Sequence, residues 1–320
     1  MIDSKGGGAF MEIKKIAVIG SGVMGHGIAQ SYALAGIPVN LYDIKEEFLK
    51  QALGLVQSNL TLLVKENVIT DVQKQDTLKR IRTSTDLEQS VKDADFVTEA
   101  IPEIIELKWE LYAKLERFCK REAIIASNTS TFPISKLIEK SSTAERMLIT
   151  HFFNPAQLVP LVEIVKHEYV TDEVLDTTKR LLVKIGKTPI VLRKDVPGFI
   201  ANRLQAAVVR EAFHLLEAGV ADAEDIDKAV SAGPGFRWAF CGPIETADFG
   251  GLDTWQRVID NLAPELDQRK TAPTLITQKV EQGKLGTKTG EGIYQYEEET
   301  VADRILQRDT NFIRLAKIRQ

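Results

Sequence analysis

Three polar side chains stand where apolar runs end or are interrupted, and their types suit the oxidation of an alcohol. Ser130 lies in the turn Ser127-Asn128-Thr129-Ser130, His151 follows Met147-Leu148-Ile149-Thr150, and Glu163 sits inside Leu161-Val162-Glu163-Ile164-Val165. Loss of hydride from a carbinol carbon needs a base for the hydroxyl proton, and imidazole titrates near neutral pH. A carboxylate beside the imidazole would fix its orientation and stabilise the imidazolium. A glutamate within an apolar strand is costly to bury without a partner, and His151 is the candidate. The other histidines read as structural: His26 just after a glycine loop, His167 in a polar stretch, and His214 on a long amphipathic segment.

A hydride acceptor is implied near the start of the chain. The apolar run Ile16-Ala17-Val18-Ile19 leads into Gly20-Ser21-Gly22-Val23-Met24-Gly25. In the dinucleotide-binding pattern the first glycine permits a tight turn, the second lets the backbone approach a pyrophosphate, and the third allows close helix packing. The helix beginning there aims unpaired N–H groups and its positive dipole end at the anion, so no lysine is required in the loop. A second apolar run, Val39-Asn40-Leu41-Tyr42, ends at Asp43, which is spaced from the loop as a ribose-binding acid requires. Its carboxylate would repel a 2′-phosphate, and no arginine adjoins it in Tyr42-Asp43-Ile44-Lys45. The pattern predicts NAD rather than NADP.

Residues so far apart in sequence need an open sheet to gather them, because in such sheets ligands collect at the carboxyl ends of strands. Strands are predicted at Ile16–Ile19, up to Asp43, at Asp95–Ala100, Ala123–Ser127, Met147–Phe152, Leu161–Val165 and Thr188–Leu192. Helices are predicted after Gly25, over Lys45–Glu66, Lys108–Cys119 and Asp172–Ile185, with Asp71–Thr85 as a charged connection. At Asp195-Val196-Pro197-Gly198 the pattern turns helical, beginning with a long helix over Phe199–Ala218 that is stopped by Gly219. The fold class is therefore α/β, a Rossmann-like and mainly parallel sheet domain over 14–195 followed by an all-helical C-terminal domain over 196–320. Residues 1–13, rich in glycine, read as a flexible extension.

The 320 residues exceed a usual single core, and 44% hydrophobic content serves two. A net charge of −4 provides no electrostatic footprint for nucleic acid. No apolar run approaches a membrane span, and a cytoplasmic enzyme is the expectation. Cys119 and Cys241 form no metal-binding spacing and read as small core residues. There is neither a GxxxxGK[ST] phosphate loop nor a histidine–carboxylate cluster for a metal.

Taken together, Gly20-Ser21-Gly22-Val23-Met24-Gly25, Glu99-Ala100-Ile101-Pro102-Glu103, Ser127-Asn128-Thr129-Ser130, His151-Phe152-Phe153-Asn154-Pro155, Pro197-Gly198-Phe199-Ile200-Ala201-Asn202-Arg203 and Lys288-Thr289-Gly290-Glu291-Gly292 resemble the L-3-hydroxyacyl-CoA dehydrogenase family over about Lys14 to Tyr296. The resemblance implies a helical domain that forms a homodimer, an active site in the cleft between the domains, and a place in fatty acid metabolism. It implies His151 as base, Glu163 as its electrostatic partner, and Ser130 and Asn202 as donors to the reacting oxygen. It places NAD contacts at Gly20, Gly22, Val23, Met24, Gly25, Asp43, Glu103, Lys108, Asn128 and Lys288. In fatty-acyl members a serine and a lysine on the helix after the ribose acid contact CoA; Asn59 and Glu66 align there, with Ser58 and Lys65 one position away. The stretch Pro234–Pro243, with Arg237, is similar to the lambda-crystallin, gulonate and carnitine dehydrogenase branch, whose members oxidise small free hydroxy acids. A 3-hydroxyacyl-CoA is the first expectation and a small hydroxy acid the alternative. A non-catalytic NAD-binding protein is the minor third reading.

Overall fold

The computed structural model describes residues 11–319, so most of the predicted N-terminal extension lies outside the described residues. Eight strands are formed: β1 (Ile16–Ile19), β2 (Val39–Tyr42), β3 (Ile81–Ser84), β4 (Phe96–Glu99), β5 (Ile124–Ser127), β6 (Met147–Phe152), β7 (Leu161–Val165) and β8 (Thr188–Leu192). They make one sheet in the order β3-β2-β1-β4-β5-β6-β7-β8, parallel throughout except for the antiparallel β6·β7 pair. The winding reverses at β1, which lies between β2 and β4. In this topology the crevice beyond the carboxyl ends of β1 and β4 is the natural ligand position.

Short strands of four to six residues suffice because helices cover both faces. Along β1, Ile16 and Val18 enter one core while Ala17 and Ile19 enter the other. The helices of this unit are α1 (Gly25–Leu34), α2 (Glu46–Lys65), α3 (Asp71–Arg80), α4 (Leu87–Val91), α5 (Ile105–Phe118), α6 (Ile134–Leu137) and α7 (Asp172–Lys184). On α2 the buried positions Leu49, Ala52, Val56, Leu60 and Leu63 follow the helical repeat. Gly186, at φ +75°, ends α7 in the left-handed conformation expected of a C-terminal glycine.

The predicted charged connection at Asp71–Thr85 is corrected to α3 and β3. Its start is a capping box, Thr70 accepting from Gln73 N while the Gln73 side chain accepts from Thr70 N. The predicted helix start at Phe199 also moves. Gly198 and Phe199 have φ of +77° and +55°, and α8 (Ala201–Glu217) begins only after them.

Among the described residues a first compact unit comprises 11–200 together with Phe312–Arg314, and a second comprises Ala201–Asn311 and 315–319. The second is helical: after α8 come α9 (Ala223–Ala232), α10 (Pro234–Trp238), α11 (Pro243–Gly250), α12 (Leu252–Leu262), α13 (Thr274–Glu281) and α14 (Glu298–Arg319). In the first unit, Ile313 of α14 is 4% exposed and joins the core cluster that holds Leu60 and Leu63, and Arg314 pairs with Glu66 at 3.1 Å. Cys119 is partly buried and packs against the second core, in line with its reading as a core residue, whereas the half-buried Cys241 belongs to neither core and that reading is corrected.

Candidate active site

The antiparallel register sets His151 of β6 directly opposite Glu163 of β7. Residues so opposed put their side chains on the same face of the sheet. His151 Nδ1 lies 2.9 Å from Glu163 Oε2, with His151 5% exposed and Glu163 0% exposed. An ionised carboxylate only accepts, so Nδ1 carries the proton and donates it, which leaves the lone pair on Nε2. The second carboxylate oxygen, Oε1, accepts from Ile200 N at 2.9 Å.

That last bond depends on the turn before α8. The left-handed backbone at Gly198 and Phe199 brings Ile200 N to the carboxylate and the Phe199 ring to 5.3 Å from the imidazole centroid. Phe153 approaches from another side at 4.7 Å. A bulky residue at positive φ is strained, and strain of this kind concentrates at functional sites. Two aromatic walls lower the dielectric around the dyad and strengthen its electrostatic coupling.

The turn carrying Ser130 is tied at several points. Asn128 Oδ1 accepts from Phe152 N at 2.9 Å, so this turn is fastened to the strand that bears His151. Glu103 Oε1 accepts from Ser130 N at 3.0 Å, Thr131 N at 3.1 Å, Thr131 Oγ1 at 2.8 Å and Thr129 Oγ1. Burial would raise the Glu103 pKa, but the Thr129 hydrogen bond and the Lys108 ammonium at 3.2 Å outweigh it and hold the carboxyl at about 2. Lys108 is itself buried against Glu99 at 2.7 Å.

The glycine loop fits a dinucleotide. A Cβ on Gly20 would lie 2.5 Å from the Ala100 carbonyl oxygen and one on Gly25 1.8 Å from that of Gly20, whereas one on Gly22 would meet nothing within 4 Å. Gly25 is thus required more by closure of the loop on itself than by contact with the sheet. Gly22 leaves its backbone open for approach, and α1 has no side-chain cap and no acid in its first turn. Asp43 Oδ2 accepts from Ser21 N and Ser21 Oγ, each at 2.7 Å, which fixes the acid beside the loop; Oδ1 takes Ile44 N at 2.7 Å. A carboxylate oxygen accepts more than one bond, so capacity for ribose hydroxyls remains. Val23 is exposed, Met24 is half-buried, and Lys45 Nζ lies over the Phe48 ring at 5.4 Å.

The remaining predicted residues fall elsewhere. On α2, Ser58 and Lys65 are exposed, Asn59 Nδ2 donates to Gln30 Oε1 at 3.1 Å, and Glu66 is engaged with Arg314. In the second unit, Asn202 is the half-buried second residue of α8, and Arg237 and Lys288 are exposed. The other histidines have structural partners: His26 Nδ1 donates to Gly22 O at 2.8 Å, His167 contacts Met147 O at 3.0 Å, and His214 lies 3.5 Å from Arg269. Burial lowers the His26 pKa against the raising effect of the Gly22 carbonyl. Phe153 and Phe199 beside the imidazole have no signal of their own in the sequence pattern, which also gives Glu99 no role. Glu99 could have been singled out as Glu163 was, as a carboxylate closing an apolar strand.

Among the described residues no helix is long and apolar enough to cross a membrane, and no group of three His, Cys, Asp or Glu side chains could hold a metal ion. The 3-hydroxyacyl-CoA dehydrogenase NAD-binding domain matches residues 15–196, and the C-terminal domain of the same family matches 198–296. A 3-hydroxybutyryl-CoA dehydrogenase of Bradyrhizobium diazoefficiens is 37% identical over 285 residues, covering 89% of this chain and 96% of the relative. A 5-formyl-3-hydroxy-2-methylpyridine 4-carboxylate 5-dehydrogenase of Mesorhizobium japonicum is 35% identical, covering 89% of this chain and 91% of the relative. A crystal structure of a dehydrogenase for that pyridine acid, described as an NAD+-dependent dismutase, superposes with a TM-score of 0.88 at 33% identity over 96% of this chain and 98% of the other. With both family domains matched in order along one polypeptide, the chain belongs to the 3-hydroxyacyl-CoA dehydrogenase family of NAD-dependent oxidoreductases.

Proposed function

We propose that this protein oxidises short-chain L-3-hydroxyacyl-CoA esters to 3-ketoacyl-CoA reversibly, with His151 as general base and acid. The observation that carries this reading is the buried His151–Glu163 pair, whose donor geometry leaves Nε2 as the basic nitrogen. In the oxidative direction Nε2 takes the 3-hydroxyl proton, and Glu163 stabilises the imidazolium so formed. NAD, when bound, supplies the hydride acceptor. Ser130 and Asn202 are assigned as donors to the reacting oxygen. In the reductive direction the imidazolium returns the proton to the developing alkoxide. The cofactor is assigned to Gly20, Gly22, Val23, Met24, Gly25, Asp43, Glu103, Lys108, Asn128 and Lys288, and Asp43 favours NAD over NADP.

A second reading, a small free carboxylic acid as substrate, is favoured by two observations. Glu66 and Asn59, aligned with the carrier-contacting positions of fatty-acyl relatives, are engaged with Arg314 and Gln30. The relative for which the TM-score is 0.88 acts, by its name, on a pyridine carboxylate. The deciding experiment is the change in NADH absorbance: its loss with acetoacetyl-CoA beside free acetoacetate and the 5-formylpyridine acid, and its gain from NAD with L-gulonate and L-carnitine in the oxidative direction. The expected result is turnover of the CoA ester and little of the free acids. Turnover of free acids alone would overturn the first reading and make Arg237 the next residue to change. With the best substrate, His151→Ala should lower kcat by about two to four orders of magnitude while NADH affinity stays within about twofold; unaltered turnover would remove His151 from the role of base.

The helical unit is assigned as the surface of a homodimer. Among its described aliphatic and aromatic side chains only Ile226 and Pro273 are buried, while Phe236, Phe240, Ile244, Phe249 and Leu252 are each more than half exposed. Apolar area on this scale marks an interaction surface. Sedimentation equilibrium should return twice the chain mass at micromolar concentration, and a monomer there would reject the assignment.

A further inference from the structure

Glu99 is a second buried carboxylate, one that the dyad does not use. It closes β4, is 0% exposed, and takes four hydrogen bonds on its side chain: Lys108 Nζ at 2.7 Å and Ile101 N at 2.9 Å on Oε1, Tyr112 OH at 2.8 Å and Ser127 Oγ at 2.6 Å on Oε2. Its backbone oxygen takes a fifth, from Asn128 N at 2.7 Å. Ser127 Oγ in turn accepts from Thr129 N at 3.2 Å.

Charge accounting shows why the carboxylate must be there. Lys108 is 1% exposed, and an ammonium so placed is tolerated only beside opposite charge. Glu99 supplies that charge from the interior and Glu103 from the outer side, at 3.2 Å. Glu103 also grips Thr129, Ser130 and Thr131. The turn after β5 is therefore held between two carboxylates that are bridged by one ammonium. Burial and the adjacent Glu99 charge keep the Tyr112 hydroxyl protonated, its pKa raised well above the usual value, so it serves as a donor in this network.

We propose that Glu99 is a positioning residue for the reaction, holding Lys108 and the turn Ser127-Asn128-Thr129-Ser130 in the arrangement that receives NAD and aims Ser130. It acts through Lys108 and through Ser127, and does not itself touch substrate. The inference rests on the cofactor assignments of Lys108 and Asn128 made above and is independent of which alcohol is oxidised.

The test is NADH binding, read by the change in NADH fluorescence, so it gives a result even if the acyl-CoA assay fails. Glu99→Gln keeps the shape and lets its amide face the two hydroxyls, but removes the charge opposite Lys108. It should raise the NADH dissociation constant by about tenfold or more, and Lys108→Met should raise it as well. The double variant should bind about as weakly as Lys108→Met alone, the non-additivity expected of groups acting as one unit. Additive effects, or binding by Glu99→Gln within about twofold of the parent alongside a lowered Tm, would reduce Glu99 to a structural residue and overturn the proposal. Should Glu99→Gln fail to fold by circular dichroism, Ser127→Ala decides. That variant cuts one link to the turn and should weaken NADH binding by about threefold or more, whereas unchanged binding would overturn the proposal.

Discussion

At His151 the direction of proton transfer is decided by the nitrogen that does not react. Glu163 accepts on both oxygens, from the imidazole on one and from Ile200 N on the other. A glutamine there has only one accepting atom, so either the amide turns its NH2 toward Nδ1 and selects the tautomer with the proton on Nε2, or it opposes Ile200 N with a donor. Glu163→Gln should therefore lower kcat by about 10²-fold or more, approaching the ~10⁴-fold cost of amidating an orienting carboxylate, while leaving the NADH dissociation constant near that of the parent. Steady-state kinetics beside fluorescence binding separates the two. A different residue contributes on the acid side. Glu103 is held at about 2 against an ordinary value of 4.5. A depressed carboxylate contributes stability that is fully present above its unfolded pKa and is lost as pH falls through its folded one. The Tm difference between the parent and Glu103→Gln should accordingly be widest above about pH 5 and close between 4.5 and 2, as read by thermal melts across that range.

At the scale of elements, the dyad comes from one register choice. The antiparallel β6·β7 pair opposes His151 and Glu163, and a slip of one residue would send them to opposite faces. The connection between these strands is held by Lys187, which donates to Ala156 O at 2.6 Å and Val159 O at 2.9 Å. Lys187→Met leaves both carbonyls without that donor and should cost about 2–4 kcal/mol in denaturant unfolding. Burial lowers the Lys187 pKa from 10.5 to about 8. The parent is penalised for burying a charge below about pH 8 and is relieved of it as pH rises toward 10.5, so this destabilisation should be larger at alkaline pH than at neutrality. The sheet strands were readable in the sequence because strands buried on both faces appear as continuous apolar runs, and Glu163 announced itself by interrupting one. The α3 helix and β3 were hidden because the segment Asp71–Ser84 buries little and carries mostly polar residues, with only the Thr70/Gln73 cap as a signal. Phe199 fitted the apolar spacing of the helix that follows. Periodicity is blind to a left-handed backbone, so its place beside the imidazole was not legible. Lys187 is a residue of no motif, visible only once the chain has folded around it.

At the scale of the whole molecule, the first unit's chain ends at Ile200 and is taken up again at Phe312–Arg314. The helical unit is thus a long excursion with both of its ends committed. Closing a loop of this length costs about 4 kcal/mol of chain entropy when the loop is unstructured. Burial of Ile313 contributes roughly 1.5–3 kcal/mol, and the Arg314–Glu66 pair, exposed on its arginine side, roughly 0–1 kcal/mol. The attachment is therefore close to break-even against an unfolded excursion and clearly favourable once the helices have shortened it. Residues 312–314 return the chain to the first unit, where Ile313 enters the core cluster that also holds Leu60 and Leu63. The first core is thus discontinuous in sequence: one of its members, Ile313, is supplied by a segment that follows the whole of residues 201–311.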